Sequence, residues 1–465
     1  MELPSLFEAR MKELLGAEYD AFYAALTEEG EVKGLRVNQN KISAACFEAN
    51  APFALESLSY VDGGFIVSAE AGAGKHPYHH AGAYYLQDPG AMSTVAALPA
   101  SFWEREGLHV LDLCAAPGGK TTQLAAACRK RGGAVLANEY VSSRARILAG
   151  NVERMGLDNV CVTNVDTRYI GEWYPGFFDL VVVDAPCSGE GMFRKNVPAI
   201  EEWSPQNVEM CAERQREILE NGARTVSPGG YLLYSTCTYS IEENEGTVLD
   251  FLKRHSDFSV CETEASLLPF TADGIELEAG YRLNACRRFY PHRARGEGQF
   301  IALLRRGGDA VESSRVCADA RRVPDKKDAQ VAAEFLRETL GRVPEGLCVL
   351  GGTLALFSPE FGLPLPPFGI VAAGCALGEV RKGRILPHHH FFTVYGTRLL
   401  SQVCLYPDEE RTKRYLAGEE IDGGEGVRGY TAVLLRVGEE TVTLGGAKAS
   451  DGRLKNHYPK GLRIK

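Results

Sequence analysis

Two cysteines stand where a sheet could present them to a ligand: Cys187, directly after Asp184-Ala-Pro, and Cys237, inside Ser235-Thr-Cys-Thr238. Phe178–Val183 reads as a mostly apolar buried strand, and 231–238 as another, so both sulfurs are expected at carboxyl ends of sheet strands. Cysteine is a strong nucleophile and a competent leaving group, which suits covalent catalysis. Its thiol, with a pKa near ~8.5, is mostly protonated at neutral pH, so a base or a positive environment is required. Alone, Cys237 would read as a packed strand cysteine. The Pro228-Gly229-Gly230 turn ahead of its strand, together with Asp184-Ala-Pro-Cys187, favours chemistry.

A third stretch, Val110–Ala125, runs from an apolar strand through a small-residue turn, Cys114-Ala-Ala-Pro-Gly-Gly-Lys120, into a helix. This is the first βα unit of a doubly wound sheet, where a ligand sits outside the strand end against the helix N-terminus. Pro117, Gly118 and Gly119 keep bulk away, so backbone N–H groups can approach that ligand. A phosphate loop needs glycine where Cys114 stands, and the nicotinamide fingerprint G-x-G-x-x-G is absent. The next strand, 134–138, ends in Glu139, at the distance where such folds hold ribose hydroxyls. The pattern points to a nucleoside ligand without a pyrophosphate.

Elements that could position these groups follow in order. From about residue 101, strands and helices alternate, which predicts a mostly parallel sheet covered on both faces. Helices are expected from Thr121 to about Lys130, from about Ser142 to Gly156 with Ile147, Leu148, Val152 and Met155 inward, and from Ser204-Pro205 with Val226 among its apolar members. Strand 159–165 delivers Asp166 to the ligand crevice. Ser240–Glu245 is expected to open a helix with acidic residues at its positive end.

Taken together, Cys114–Lys120, Asp184–Gly189 and Ser235–Thr238 resemble, in order and spacing, the S-adenosylmethionine-dependent RNA cytosine-5 methyltransferases of the Nol/Nop/Sun type, most closely the bacterial ones that modify small-subunit ribosomal RNA. The resemblance covers most of the chain. It implies a Rossmann-like class I methyltransferase domain over 101–306, an α+β RNA-binding region over 1–100 and a PUA-like RNA-binding module over 396–465, while the polar, aperiodic stretch 307–330 reads as a linker and the glycine-split short strands of 331–395 as a small α+β module. It further implies that S-adenosylmethionine lies against Cys114, Ala115, Ala116, Pro117, Gly118, Gly119, Lys120, Glu139, Asp166 and Asp184.

Carbon 5 of cytosine is too electron-poor to attack a methyl sulfonium, and a nucleophile adding at carbon 6 turns it into an enamine carbon. By resemblance Cys237 is that nucleophile, Cys187 assists release, Asp184 hydrogen-bonds N3, and Lys120 holds the geometry. The implied partner is RNA, either 16S ribosomal RNA or the small subunit. Transfer RNA and a non-catalytic assembly role are the alternatives. Arg36 and Lys41, Arg194 and Lys195, the Arg287–Arg295 cluster, and the basic tail with Tyr458 are candidate RNA contacts.

Composition sets the outer bounds. At 465 residues and a formal net charge of −10, the chain has room for about three domains, and any phosphate-binding surface must be a local cluster. There is no long apolar run and no basic-then-apolar leader, so a soluble cytoplasmic monomer without membrane contact is expected. Thirteen cysteines, none in C-x-x-C spacing, suggest a reducing compartment and no metal. His76, His79 and His80 read as loop histidines, and His388–His390 as surface.

Overall fold

The structure, a computed structural model, describes residues 2–28, 30–308 and 319–464. Its ten-stranded central sheet includes β1 (His109–Asp112), β2 (Ala134–Asn138), β3 (Val160–Thr163), β4 (Phe178–Asp184), β5 (Val226–Thr236), β6 (Gln299–Arg306) and β7 (Ile370–Ala373), in the order β6-β5-β4-β1-β2-β3-β7, with three short strands, Phe258–Val260, Ala272–Asp273 and Arg287–Phe289, extending it beyond β6. β1 to β5 pair in parallel, and β6 and β7 are antiparallel at the two flanks. The order reverses at β1, which puts the switch-point crevice beside its carboxyl end. Strand residues such as Leu111, Val135, Val181, Val182 and Leu233 are fully buried, as expected for a sheet covered on both faces.

The crossover helices are α1 (Gly119–Arg129), α2 (Ser142–Met155), α3 (Thr167–Trp173), α4 (Pro205–Ala223) and α5 (Glu245–Arg254). α2 buries Ala145, Leu148, Val152 and Met155, a 3-4-3 spacing; Ile147 lies about 100° round the helix from Leu148 and is exposed, against expectation. α4 stops at Ala223, so Val226 belongs to β5, not to the helix. α5 starts only at Glu245, which frees Glu242 and Glu243 from the helix expected there.

The N-terminal region forms a four-stranded sheet, including Lys33–Val37 and Tyr84–Leu86, preceded by helices Ser5–Leu15 and Tyr19–Thr27. Phe7 and Phe22 from these helices pack edge-on against Phe193, Trp203, Tyr239 and Tyr290 of the central domain. At the other end, a five-stranded sheet including Gly429–Val437 and Glu440–Ser450 shares one apolar core with the N-terminal sheet: Leu35, Phe47, Tyr78 and Tyr84 meet Leu405, Tyr415, Val433 and Leu444.

Several surface assignments are corrected. Helix Lys326–Leu340 begins inside the expected linker, capped by Asp325, while 309–318 lie outside the described residues. His388 caps a helix, His389–Tyr395, that is buried throughout, because His390 Nε2 meets the Leu157 carbonyl and the helix fills the space beside α2. His79 and His80 sit in the short helix Pro77–His80, with His76 as its cap.

The expected RNA-binding cations are mostly spent inside the protein. Arg288 pairs with Glu245 in the core, Arg287 with Asp273, Arg293 with Glu18 and Arg295 with Glu56. Arg194 and Lys195 both pair with Glu297, and Lys195 also with Asp88 at 2.9 Å. Lys41 donates to the Ala81 and Arg154 carbonyls, and burial pulls its pKa down to about 7. Tyr458 is buried against Tyr415 and His389, not offered to a base. Glu245→Ala, which strands Arg288, is expected to cost about 3–5 kcal/mol, read as a lowered urea midpoint.

Candidate active site

The turn after β1 lines a cavity of about 240 Å³ with Cys114, Ala115, Ala116, Pro117, Gly119 and Lys120. Across it stand Asp184 at the end of β4, Asp112 at the end of β1, and Tyr85 to Asp88 and Ala91 from the N-terminal side. Gly118 does not line the cavity but makes the turn possible: its φ is +112°, and a Cβ there would lie 3.0 Å from Leu148 Cδ1. Arg36 ties the N-terminal sheet to this turn. Its buried guanidinium donates to the Gly119 carbonyl at 3.2 Å and to Thr122 Oγ1 at 2.8 Å, which excludes it as an RNA contact.

Lys120 Nζ lies 2.8 Å from Asp184 Oδ2, and Ser235 Oγ donates to Asp184 Oδ1 at 2.7 Å. The carboxylate is thereby held from both sides at the mouth of the crevice. Beyond it, β4 and β5 run on into two loops that bring Cys187 Sγ and Cys237 Sγ to 3.2 Å. The hydrogen bond between the sulfurs, together with burial, pushes the Cys187 thiol up. Burial likewise raises the Cys114 thiol above its ordinary range.

Glu139 and Asp166 sit at the next two strand ends, outside the lining of this cavity. Glu139 is buried, accepts from Val141 N at 2.8 Å and faces Arg144. Asp166 caps α3 through Arg168 N and pairs with the Arg168 guanidinium at 3.1 Å. Asn138 joins β2 to β3 by donating to the Val165 carbonyl at 3.1 Å.

Sequence reasoning gave no role to Asp112, although it ends the strand that leads into the turn. It accepts from Thr121 Oγ1 at 2.6 Å through Oδ2, while its buried Oδ1 has no partner, and burial pushes its pKa up to about 7. Gln87 Nε2 is a second buried polar atom without a partner on the same cavity. Two unsatisfied polar groups of opposite kind mark a place prepared for a polar ligand.

A switch-point crevice with a glycine turn, strand-end carboxylates and no phosphate loop defines a class I methyltransferase. Family models agree: residues 102–305 match "16S rRNA methyltransferase RsmB/F", residues 3–89 match "N-terminal domain of 16S rRNA methyltransferase RsmF", and residues 402–464 match "Methyltransferase RsmF PUA domain". The chain is similar to ribosomal RNA small subunit methyltransferase F of Escherichia coli O139:H28, 35% identical over 99% of this chain and 96% of that one, and to that of Aeromonas salmonicida, 30% identical over 92% and 90%. Among solved structures, a methyltransferase homolog from Pyrococcus horikoshii is 28% identical with a TM-score of 0.56, over 65% of this chain and 95% of that one. NSun6 from the same organism, solved with SFG, shares the fold at 22% identity and a TM-score of 0.55, over 66% and 99%. The chain belongs to the RsmB/F family of 16S rRNA methyltransferases.

No helix among the described residues is long and apolar enough to cross a membrane. No group of three or more histidines, cysteines or carboxylates among them could hold a metal ion.

Proposed function

We propose that this chain methylates carbon 5 of a cytosine in 16S ribosomal RNA through a covalent bond between Cys237 and carbon 6 of the ring. The approach of Cys187 and Cys237 to 3.2 Å, beside a carboxylate fixed by Lys120 and Ser235, is the observation that carries it. S-adenosylmethionine, when bound, supplies the electrophilic methyl group. Its ammonium group suits the free oxygen of Asp112, the turn 114–120 suits the body of the ligand, and Glu139 suits ribose hydroxyls. Asp166 remains a proposed neighbour of the adenosine part.

The Cys237 thiolate adds at carbon 6, and the ring electrons displaced from the double bond between carbons 5 and 6 make carbon 5 nucleophilic. Asp184 holds the proton shared with N3, where charge accumulates, and Lys120 keeps that carboxylate in place. After carbon 5 is methylated, Cys187, a thiolate once its own proton has passed to water, takes the proton of carbon 5. The electron pair of that carbon–hydrogen bond re-forms the double bond between carbons 5 and 6 as the carbon 6–sulfur bond breaks and Cys237 leaves as thiolate. A cytosine can reach this crevice only outside a stack, which favours loops and single strands.

With Arg36, Arg194, Lys195, Arg287 and Arg288 engaged by internal partners, phosphate contact falls to the C-terminal module, whose basic tail stays exposed at Arg453, Lys455 and Lys460. Lys448 and Lys455 stand directly opposite each other across two strands and are exposed, an unfavourable like-charge pair that an anionic backbone would relieve.

Transfer of tritiated methyl groups to small subunits, free ribosomal RNA and transfer RNA tests the reading, with bisulfite sequencing locating the product. Label on 16S RNA as 5-methylcytosine is expected. Label on transfer RNA alone would replace the substrate, and label on none would remove the activity.

The Asp112 pocket predicts a pH dependence. Below pH 7 the free carboxyl carries a proton that an incoming ammonium must displace, so affinity for S-adenosylmethionine should weaken up to about tenfold per unit as pH falls from 7. Calorimetry across pH 5.5 to 8 should show this slope in the parent and lose it in Asp112→Asn.

A further inference from the structure

Cys187 is clamped through both of its neighbours. The Pro186 carbonyl accepts from Gln215 Nε2 at 3.1 Å, and Ser188 N donates to Glu243 Oε2 at 3.0 Å. Gln215 Nε2 also donates to that same Glu243 oxygen at 2.7 Å, so one buried carboxyl organises both sides of the cysteine. Two residues past Ser188 on the same loop, Glu190 Oε2 reaches the facing segment, accepting from Tyr239 N at 2.9 Å and from Thr238 Oγ1 at 2.8 Å, just past Cys237.

The two halves meet at Ser188 Oγ and Thr238 Oγ1, 3.0 Å apart, with Glu243 Oε1 close on the far side of Ser188. Proton counting along this row is informative. Three oxygen–oxygen contacts link Glu243, Ser188, Thr238 and Glu190, and the two hydroxyls bring only two protons. With both carboxyls ionised, each hydroxyl points at its own carboxylate and the two hydroxyl oxygens face each other with nothing between them. One additional proton completes the row. Glu190 already has N–H donors on both oxygens, Trp203 Nε1 on Oε1 and Tyr239 N on Oε2, whereas Glu243 Oε1 faces Ser188 Oγ.

We propose that Glu243 is a positioning residue that, in its neutral form, locks the Ser188 loop to the Thr238 loop and so holds the Cys187 sulfur at Cys237. It acts through Ser188 and Gln215, not on the substrate, and the proposal rests on the covalent reading given above. The ionisable groups facing it are Glu190, Cys187, Cys211 and Tyr234, with Cys237 beyond Cys187 and Arg216 beyond Tyr234. Burial pushes Glu243 up to about 7, so the extra proton is present on the acid side of neutrality and is lost as pH rises.

The test compares the full-length parent with Glu243→Ala, Glu243→Gln and Cys187→Ala on small-subunit RNA, reading kcat, a covalent protein–RNA band on denaturing gels and S-adenosylmethionine affinity. Glu243→Ala should lose on the order of 10²-fold in kcat, as for a catalytic group displaced by about 1 Å. It should also accumulate the covalent band as Cys187→Ala does, with cofactor affinity unchanged. Glu243→Gln, which mimics the neutral acid, should keep most of the activity and lose the fall in kcat above about pH 7. Parent-like turnover without a band in Glu243→Ala overturns the assignment, as does a Glu243→Gln enzyme that fails like alanine or keeps the alkaline fall. Should the alanine variant not fold, the glutamine pH profile decides alone. A Cys187→Ala enzyme that turns over normally removes the covalent reading and this inference with it, whereas a band in Cys187→Ala with none in Glu243→Ala removes only the role of Glu243.

Discussion

Alanine at position 237 is expected to abolish methyl transfer while leaving S-adenosylmethionine binding intact. The cofactor cavity is lined by the turn after β1 together with Asp112 and Asp184, and Cys237 is not part of that lining. Losing the sulfur should leave the ligand's contacts in place. Without addition at carbon 6, carbon 5 keeps its aromatic, electron-poor character, and the loss should be on the order of 10⁴-fold or more, the scale on which enzymes feel removal of a nucleophile. Calorimetry with the cofactor and tritium transfer to small-subunit RNA check the two halves of the statement. Residual transfer above about one per cent of the parent would move the nucleophile elsewhere.

Alanine at position 187 should produce the opposite phenotype: methylation proceeds once and the enzyme stays attached to its product. The two sulfurs are in contact, so removing Cys187 takes away the sulfur that, as thiolate, accepts the proton of carbon 5 beside the carbon–sulfur bond that must break. Steady-state turnover should drop to a single round, with a persistent shifted band on a denaturing gel that requires Cys237 and RNA. The double alanine variant should show neither turnover nor band. A Cys187→Ala enzyme with normal turnover would mean that another group takes the proton.

The crevice was largely legible before the structure, for a physical reason. A glycine turn, a strand-end carboxylate and a Pro-Cys or Thr-Cys step are local features whose sequence neighbours fix their geometry, and Cys114–Lys120, Asp184, Cys187 and Cys237 all fall where strand periodicity puts them. Charges were misread because a cation's fate depends on distant partners. Nothing near Arg288 in sequence announces Glu245, and nothing near Arg36 announces the carbonyl of Gly119. Glu243 was hidden differently: an acidic run read as a helix start, while the chain stays irregular until Glu245 and turns that side chain toward Ser188. His389 and His390 carry polar atoms into a helix packed on α2, which residue type alone argues against.

β7 closes the flank of β3 with a strand drawn from far downstream. During vectorial synthesis on the ribosome, roughly 200 residues must still emerge after β3 before that partner exists, a delay of roughly 10–40 s at ~5–20 residues/s. Throughout that interval the nascent sheet has an open backbone ladder able to recruit a foreign chain. Codon pace and chaperone occupancy over the second half of the message therefore bear on how much of the newly made enzyme reaches its native form.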